Sequence, residues 1–402
     1  MKNGRLILQL PEGGAYEFGS GESGPEAVIQ LHNNQFYHRG VLYGKMGFGE
    51  GYQAGDWDSP NLADVIGWFC CNMDTSPTRA NSFVARWGIN WFERANRFRH
   101  RLNQNSIRGS RRNIQAHYDL GNSFYQLWLD PTMSYSSALF EYPDQTLEAA
   151  QSAKYERLCQ RLRIGTQDHV LEIGCGWGGF LSHAIRTRGC RVTAITISEE
   201  QLRYTRERLV REGIADRATV ELRDYRTLES LNTRFDQVVS IEMLEAVGDE
   251  YLEKCLSIVQ SVLKPNGLFG AQFIVCPDSR HTQLRHRVDW IQKHIFPGSL
   301  LLSLNRIGNA MRQGGDLWLC NLEDLGGSYA TTLRDWRRRF TENLGGVRSL
   351  GFDDYFIRTW TYYLAYCEAA FAWHNISVVQ AVWTRPNNRR LISTSIPFPL
   401  PR

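Results

Sequence analysis

Residues 168–180 read DHVLEIGCGWGGF. A branched apolar run, Val170, Leu171 and Ile173, gives way to Gly174, Gly176 and Gly178 at alternate positions. Glycine at that spacing lets a backbone approach a ligand closely at the end of a strand. The GxGxxG within it is weak evidence for a dinucleotide, so context decides. A dinucleotide site wants an acid about 20 residues on, for the ribose hydroxyls. That neighbourhood reads VTAITIS (192–198) and has none, and the GK[ST] of a phosphate-binding loop is missing too. Glu172, however, stands two residues before the first glycine. An acid placed there suits a cofactor with a cationic amino-acid end and no phosphates. S-adenosylmethionine answers that description, its charged end along the glycine backbone and a carboxylate facing the cation. The alternative is a tight turn with no ligand, which the surrounding sheet pattern disfavours.

That pattern is strand and helix in alternation. Strands are predicted over 169–173, 191–197, 218–222, 236–241 and 268–275, with helical stretches such as 199–212 and 250–263 between them. Repeated in this way, they predict an α/β fold with a parallel sheet covered on both faces. KPNG (264–267) predicts a turn that stops a helix before the fifth strand. Two late strands, 317–323 and 376–384, would complete one edge. Ligands of such sheets bind beyond the carboxyl ends of the strands. Those ends present Thr196, Ser198 and Gln201, then Asp224 and Tyr225, then Ile241. Asp224 is a candidate acceptor for an adenine amino group. Ser198 before EEQ reads equally well as a helix cap, with Gln201 at the capping-box position.

The remainder of the chain sets limits. Lysine plus arginine exceed aspartate plus glutamate by 46 − 42, a net +4 too mild to argue for nucleic acid. The positive charge is uneven: RFRHRLNQNSIRGSRR (97–112) holds arginines and no acid. It reads as a basic linker, or as a contact for an anionic membrane surface, with Phe98 and Leu102 among the arginines. Residues 1–96 mix glycine-rich turns with short alternating runs and read as a small N-terminal domain, a candidate lipid contact. The third unit is 113–402. Within it, 276–375 is a long insertion whose segment YFIRTWTYYLAYCEAAFAWHNI is helical and aromatic on nearly every face. Such a helix is buried in a core or lines an apolar ligand channel. The nine cysteines show no CxxC pair, which fits a reducing cytoplasm and no metal site. No run of about 20 apolar residues is present to span a membrane.

Several blocks in order resemble the cyclopropane-fatty-acid synthases and their mycolic-acid relatives. They are AHYDLGNSFYQLWLDPTMSYSSALF (116–140), VLEIGCGWGGF (170–180), TISEEQ (196–201), SIEMLEAVG (240–248), WIQKHIFPG (290–298) and SYATTLRDWRRRF (328–340). The resemblance implies a Rossmann-like class I methyltransferase sheet with a helical lipid-binding insertion. It implies methyl transfer from S-adenosylmethionine to a cis double bond of unsaturated phospholipid acyl chains, at the cytoplasmic face of the membrane, by a homodimer. An alkene is a poor nucleophile and leaves a carbocation, so the site must exclude water and supply a base. In the family that base is a bound bicarbonate, held by a cysteine backbone amide, a glutamate, a histidine and a tyrosine. Carried over by position, the glutamate is Glu245 and the tyrosine Tyr329. The cysteine position is Ser137, which keeps the N–H, and the histidine position is Gln272, which can hydrogen-bond but cannot relay a proton. Tyr135, Ser136 and Tyr118 fall in the block that the family folds over the site, and Tyr135 offers a π face to a cation.

Loss of a proton from the added methyl would close a cyclopropane; loss from a neighbouring chain carbon would leave a methyl-branched chain. The competing readings are the same fold methylating a small amine, a catalytically weak lipid-binding relative suggested by the two changed positions, and a nucleotide-dependent oxidoreductase, which the missing acid argues against.

Overall fold

The computed structural model describes residues 2–19, 22–72, 120–285 and 288–392. The basic segment 97–112 and Tyr118 lie outside the described residues. Near the N-terminus, β1 (Asn3–Gln9), β2 (Ala15–Phe18), β3 (Glu22–Leu31) and β4 (Trp57–Asp58) form a sheet in the order β2-β1-β3-β4. Helices α1 (Gln35–Ala54) and α2 (Leu62–Cys71) accompany it. Leu62, Val65, Ile66 and Trp68 of α2 are buried, and Trp57 is fully so, which gives this sheet its apolar side.

The second sheet has seven strands. After α3 (Asn122–Gln126) and α4 (Leu147–Arg161) come β5 (His169–Ile173), α5 (Gly179–Arg188), β6 (Arg191–Thr196), α6 (Glu199–Arg211), β7 (Ala218–Leu222), β8 (Phe235–Ile241), α7 (Leu252–Val262) and β9 (Leu263–Val275). The insertion adds α8 (Asp278–Arg285), α9 (Trp290–His294), α10 (Leu304–Gly314), β10 (Trp318–Asp324), α11 (Gly326–Glu342), α12 (Leu344–Ser349) and α13 (Asp354–Ala372), before β11 (Ser377–Thr384) closes the sheet. The order is β10-β11-β9-β8-β5-β6-β7. Strands β5 to β9 run parallel and β11 antiparallel to β9, so the two late strands do complete one edge. Chain order reverses at β5, which has β6 on one side and β8 on the other. In sheets of this kind that reversal opens a crevice at the carboxyl ends of the strands.

Local sequence explains the central elements. FDQVVSI in β8 is buried almost throughout, as a parallel strand covered on both faces must be. Ser198 caps α6 by accepting from the Gln201 N–H, and Glu199 and Glu200 in the first turn oppose Arg208 and Arg211 in the last, matching the helix dipole. KPNG does not form a free turn between α7 and β9. It is a break in register inside β9: Phe235 pairs with Leu263, and Gln237 already pairs with Leu268. Helix α13 is buried on most faces, packed between α11 on one side and α1 and α2 on the other. Gln53 of α1 joins the layers, donating to Thr359 at 2.8 Å and accepting from Trp290 at 3.1 Å. The aromatic helix is therefore core, with one face, at Trp360 and Tyr363, turned toward Tyr135 and its neighbours.

Candidate active site

The turn after β5 is built on left-handed glycines: Gly174 has φ 83°, Gly176 φ 52° and Gly178 φ 82°. They are not equivalent. A Cβ on Gly174 would meet Met243 at 2.9 Å, and one on Gly178 would meet Thr205 at 2.7 Å. A Cβ on Gly176 would meet nothing within 4 Å. Two glycines thus serve packing, and the middle one faces open space beside a strand end. Glu172 lies just below, buried, with one carboxylate oxygen that has no partner among the described residues. Burial raises its pKa well above the ordinary carboxylate value. An orphaned buried carboxylate calls for a cation. The arrangement fits the amino-acid end of S-adenosylmethionine.

The remaining cofactor candidates divide. Thr196 donates to Gln201 at 2.8 Å and accepts from the Ser198 N–H at 3.1 Å, so these side chains form one small network at the end of β6. Tyr225 has a buried hydroxyl without a hydrogen-bond partner among the described residues. Asp224 is already engaged: Arg226 bonds both its oxygens, at 2.8 and 2.7 Å. An adenine contact there would have to share the carboxylate. Ile241 ends β8 and packs on the core beneath the crevice. Ser136 is nearly buried, its hydroxyl accepting from Lys154 at 2.7 Å and its carbonyl from Gln151 at 2.9 Å.

The catalytic candidates converge, but not on the residue expected. The Ser137 N–H donates at 2.8 Å to Glu242 Oε1, Gln272 Nε2 donates to the same oxygen at 2.7 Å, and the Tyr329 hydroxyl donates at 2.8 Å to Glu242 Oε2. Glu245 stands apart from these three donors. Its Oε1 accepts from the Ile274 N–H at 2.6 Å and its Oε2 is buried without a partner among the described residues. The difference between the two acids has a physical cause. Glu242 follows the last residue of β8 with φ 49°, a left-handed conformation that costs a residue with a side chain about 1–2 kcal/mol. Its own N–H donates at 2.7 Å to the Gln272 carbonyl. That kink turns the carboxylate back over β9 toward Gln272, while the next turn carries Glu245 down to Ile274. Hydrogen bonds to a charged acceptor contribute about 1.5–3 kcal/mol each, enough to hold the kink. Burial raises the pKa of Glu242, and Gln272, Lys154, Ser137 and Tyr329 pull it back. Burial, and then the Glu242 charge, push Glu245 up to about 8.

Gln272 is itself oriented. Its carbonyl oxygen accepts from Gln380 Nε2 at 3.0 Å, so its amide N–H groups face Glu242 and the Ser137 carbonyl. Tyr135 lies over this group with its hydroxyl 2.9 Å from that of Tyr363. Around its ring are Trp128 at 5.3 Å, Trp336 at 5.4 Å and Tyr125 at 5.6 Å. The enclosure is aromatic, apolar and rich in π faces.

A buried orphan carboxylate under the glycine turn, a second carboxylate held by three donors and the aromatic rings around Tyr135 narrow the comparison with known proteins. The mycolic acid cyclopropane synthetase family matches residues 105–381. The chain belongs to that family. It is 37% identical over 392 residues to the tuberculostearic acid methyltransferase UfaA1 of Mycobacterium tuberculosis, covering 94% of this chain and 88% of the relative. It is 33% identical over 372 residues to the cyclopropane-fatty-acyl-phospholipid synthase of Escherichia coli, covering 89% and 88%. Among solved structures, the mycolic acid cyclopropane synthase CmaA1, complexed with S-adenosylhomocysteine, superposes with a TM-score of 0.63 at 27% identity, covering 68% of this chain and 98% of that one. This member of the family is an S-adenosylmethionine-dependent methyltransferase with the class I sheet, as the sequence implied.

Bicarbonate does not fit here. Ser137, Gln272 and Tyr329, which the resemblance assigned to that ion, already donate to Glu242. Glu242 was missed from sequence although a signal existed. It is the acid standing directly after a central strand, at the position where this fold binds ligands. Lys154 and Gln380 were missed because nothing in their local sequence marks them as buried.

Proposed function

We propose that this methyltransferase acts on the double bond of unsaturated phospholipid acyl chains, with Glu242 as the proton acceptor. The observation that carries the reading is the Glu242 carboxylate, gathered by Ser137, Gln272 and Tyr329 beside the glycine turn. Met243, its neighbour, packs directly on Gly174.

Glu172, the backbone around Gly176, Thr196, Ser198, Gln201, Tyr225, Ile241, Tyr135 and Ser136 would hold the cofactor, with Asp224 sharing its carboxylate with Arg226. S-adenosylmethionine, when bound, supplies an electrophilic methyl on a sulfonium. The chain's own residues do the rest. The aromatic wall of Trp128, Tyr135 and Trp336 keeps water from the cation left on the acyl chain when its π electrons form the new C–C bond. Tyr135 presents a ring face to that cation. Glu242 then takes the proton. Oε1 already accepts two hydrogen bonds and Oε2 one, so Oε2 has the spare lone pair. A proton drawn from the added methyl closes a cyclopropane; one drawn from the adjoining chain carbon leaves a methyl-branched alkene.

The approach to lipid is assigned to the N-terminal unit, residues 1–96, with 97–112 as a basic linker to the catalytic unit 113–402. Tyr16, Phe18, Tyr37 and Leu42 are exposed on this unit, which suits shallow contact with an anionic membrane surface on the cytoplasmic side. No helix among the described residues is long and apolar enough to cross a membrane. A homodimer formed through this unit completes the reading. The test is mass spectrometry of phospholipid acyl chains from cells with and without the protein. Unsaturated chains should gain one CH₂; unchanged chains, with a methylated amine found instead, would overturn the substrate assignment.

A further inference from the structure

Helix α4 carries a fully buried lysine that the reaction as described above does not use. Lys154 Nζ donates to the Ser136 hydroxyl at 2.7 Å and lies 4.4 Å from the centre of the Tyr155 ring. Its hydrogen-bonding capacity is not filled, and no carboxylate among the described residues pairs with it directly. Burial lowers its pKa to about 8, while the nearby carboxylates of Glu242, then Asp130 and Glu172, pull it back up. A neutral donor would serve Ser136 equally well. A charge, unlike a neutral donor, acts on the carboxylates without touching them.

We propose that Lys154 is a positioning residue for methyl transfer: its buried ammonium is the fixed counter-charge that keeps Glu242 ionised, and its bond to Ser136 ties that charge to the segment holding the cofactor. The geometry runs through adjacent residues. Gln151 and Lys154, three apart on one face of α4, grip the carbonyl and hydroxyl of Ser136. The next N–H, that of Ser137, donates to Glu242. The Lys154 carbonyl accepts from Gln380, which also orients Gln272 against Glu242. One helix thus sets both the cofactor segment and the proton acceptor. The groups facing Glu242 are Lys154 from α4, Glu245 from its own turn, Tyr329 from α11 and Tyr363 from α13. Of these, Lys154 is the cation. Asp130, Glu172 and Tyr155 face the lysine itself.

The inference rests on Glu242 as proton acceptor, and its test separates the two. The acid limb of kcat/KM reports ionisation of the base. In Lys154→Gln the limb should move to higher pH by about one unit or more, and in Lys154→Arg it should stay near the wild-type position. A purely structural role would lower kcat equally at every pH, and an unmoved limb in folded Lys154→Gln overturns the proposal. Should that variant fail to fold, ¹³C-lysine NMR of wild type and Glu242→Gln gives a second reading. Loss of the facing carboxylate should lower the midpoint at which Lys154 loses its proton by about one pH unit; an unchanged midpoint overturns the proposal. If Glu242→Gln keeps its turnover, the proton-acceptor reading itself falls. If that variant is inactive and neither shift appears, only the role of Lys154 falls.

Discussion

The turns after β5 and β8 leave neighbouring strands side by side, and both do so through a left-handed residue, Gly174 at φ 83° and Glu242 at φ 49°. The first uses glycine, which adopts that conformation without strain and leaves room at Gly176 for a ligand to lie against the backbone. The second uses glutamate, accepts the strain and gains a carboxylate at a fixed point. Strain of this kind persists where surrounding contacts over-determine it, and it clusters at functional sites. On the proposed reading, one turn makes space for the methyl donor and the other supplies the base.

Substitutions that exchange these properties break the comparison most sharply. The largest effect is expected at Glu242. Glu242→Gln keeps the shape and removes the base, so turnover should fall by roughly 10²–10⁴-fold while S-adenosylmethionine affinity, measured by calorimetry, stays near wild type. A loss of cofactor affinity instead would mean the carboxylate belongs to the donor site. The glycines come next. Gly178→Ala must displace Thr205 from 2.7 Å and adopt φ 82°, so thermal or urea unfolding should show a loss of about 2–4 kcal/mol. Gly176→Ala meets no neighbour, so its stability loss should be the smaller, about 1–2 kcal/mol, while cofactor affinity drops by roughly tenfold. Equal effects of the two on stability and affinity would erase the division of labour within the turn.

Smaller effects sharpen the account around β8. Glu245 is pushed up to about 8 by burial and by Glu242, whereas the unfolded chain holds it near 4.5. Its folded form therefore prefers the neutral carboxyl. The stability linked to that preference is full below 4.5 and is lost as pH rises through about 8. Glu245→Gln should remove this slope, so its melting temperature gains on wild type as pH rises, with turnover reduced less than in Glu242→Gln. A turnover loss as large as that of Glu242→Gln would make Glu245 an equal partner. The smallest change is expected for Gln272→His, whose ring N–H can still donate to Glu242. Turnover should stay within about tenfold, with a shifted ratio of ring to branched product. An unchanged ratio would show that this position does not steer the proton.

The same pair of turns shows what a sequence discloses. Strands 169–173 and 218–222 appear with the predicted bounds, and the glycine turn is where it was expected. Buried branched runs and glycines carry their structural reason locally. The residues after β8 do not. SIEMLEAVG offers two acids three residues apart, and the resemblance selects the second by alignment. The first receives the three donors because a single left-handed φ reverses its direction, and backbone torsion at a non-glycine residue is not written in residue type. Lys154 is hidden for a related reason. In QSAKYERL it reads as a solvated helix position, and the residues that meet it, Ser136 at its ammonium and Gln380 of β11 at its carbonyl, are distant in sequence.

Dependence of turnover on added bicarbonate tests the central claim most directly, comparing wild type with Glu242→Gly, whose glycine suits the left-handed backbone and frees the donors at Ser137, Gln272 and Tyr329. Wild type should methylate unsaturated phospholipid equally well in bicarbonate-free buffer, and the variant should be inactive there and regain activity as the ion is added. A wild type that stalls without bicarbonate, or a variant fully active in its absence, would contradict the assignment of the proton to Glu242.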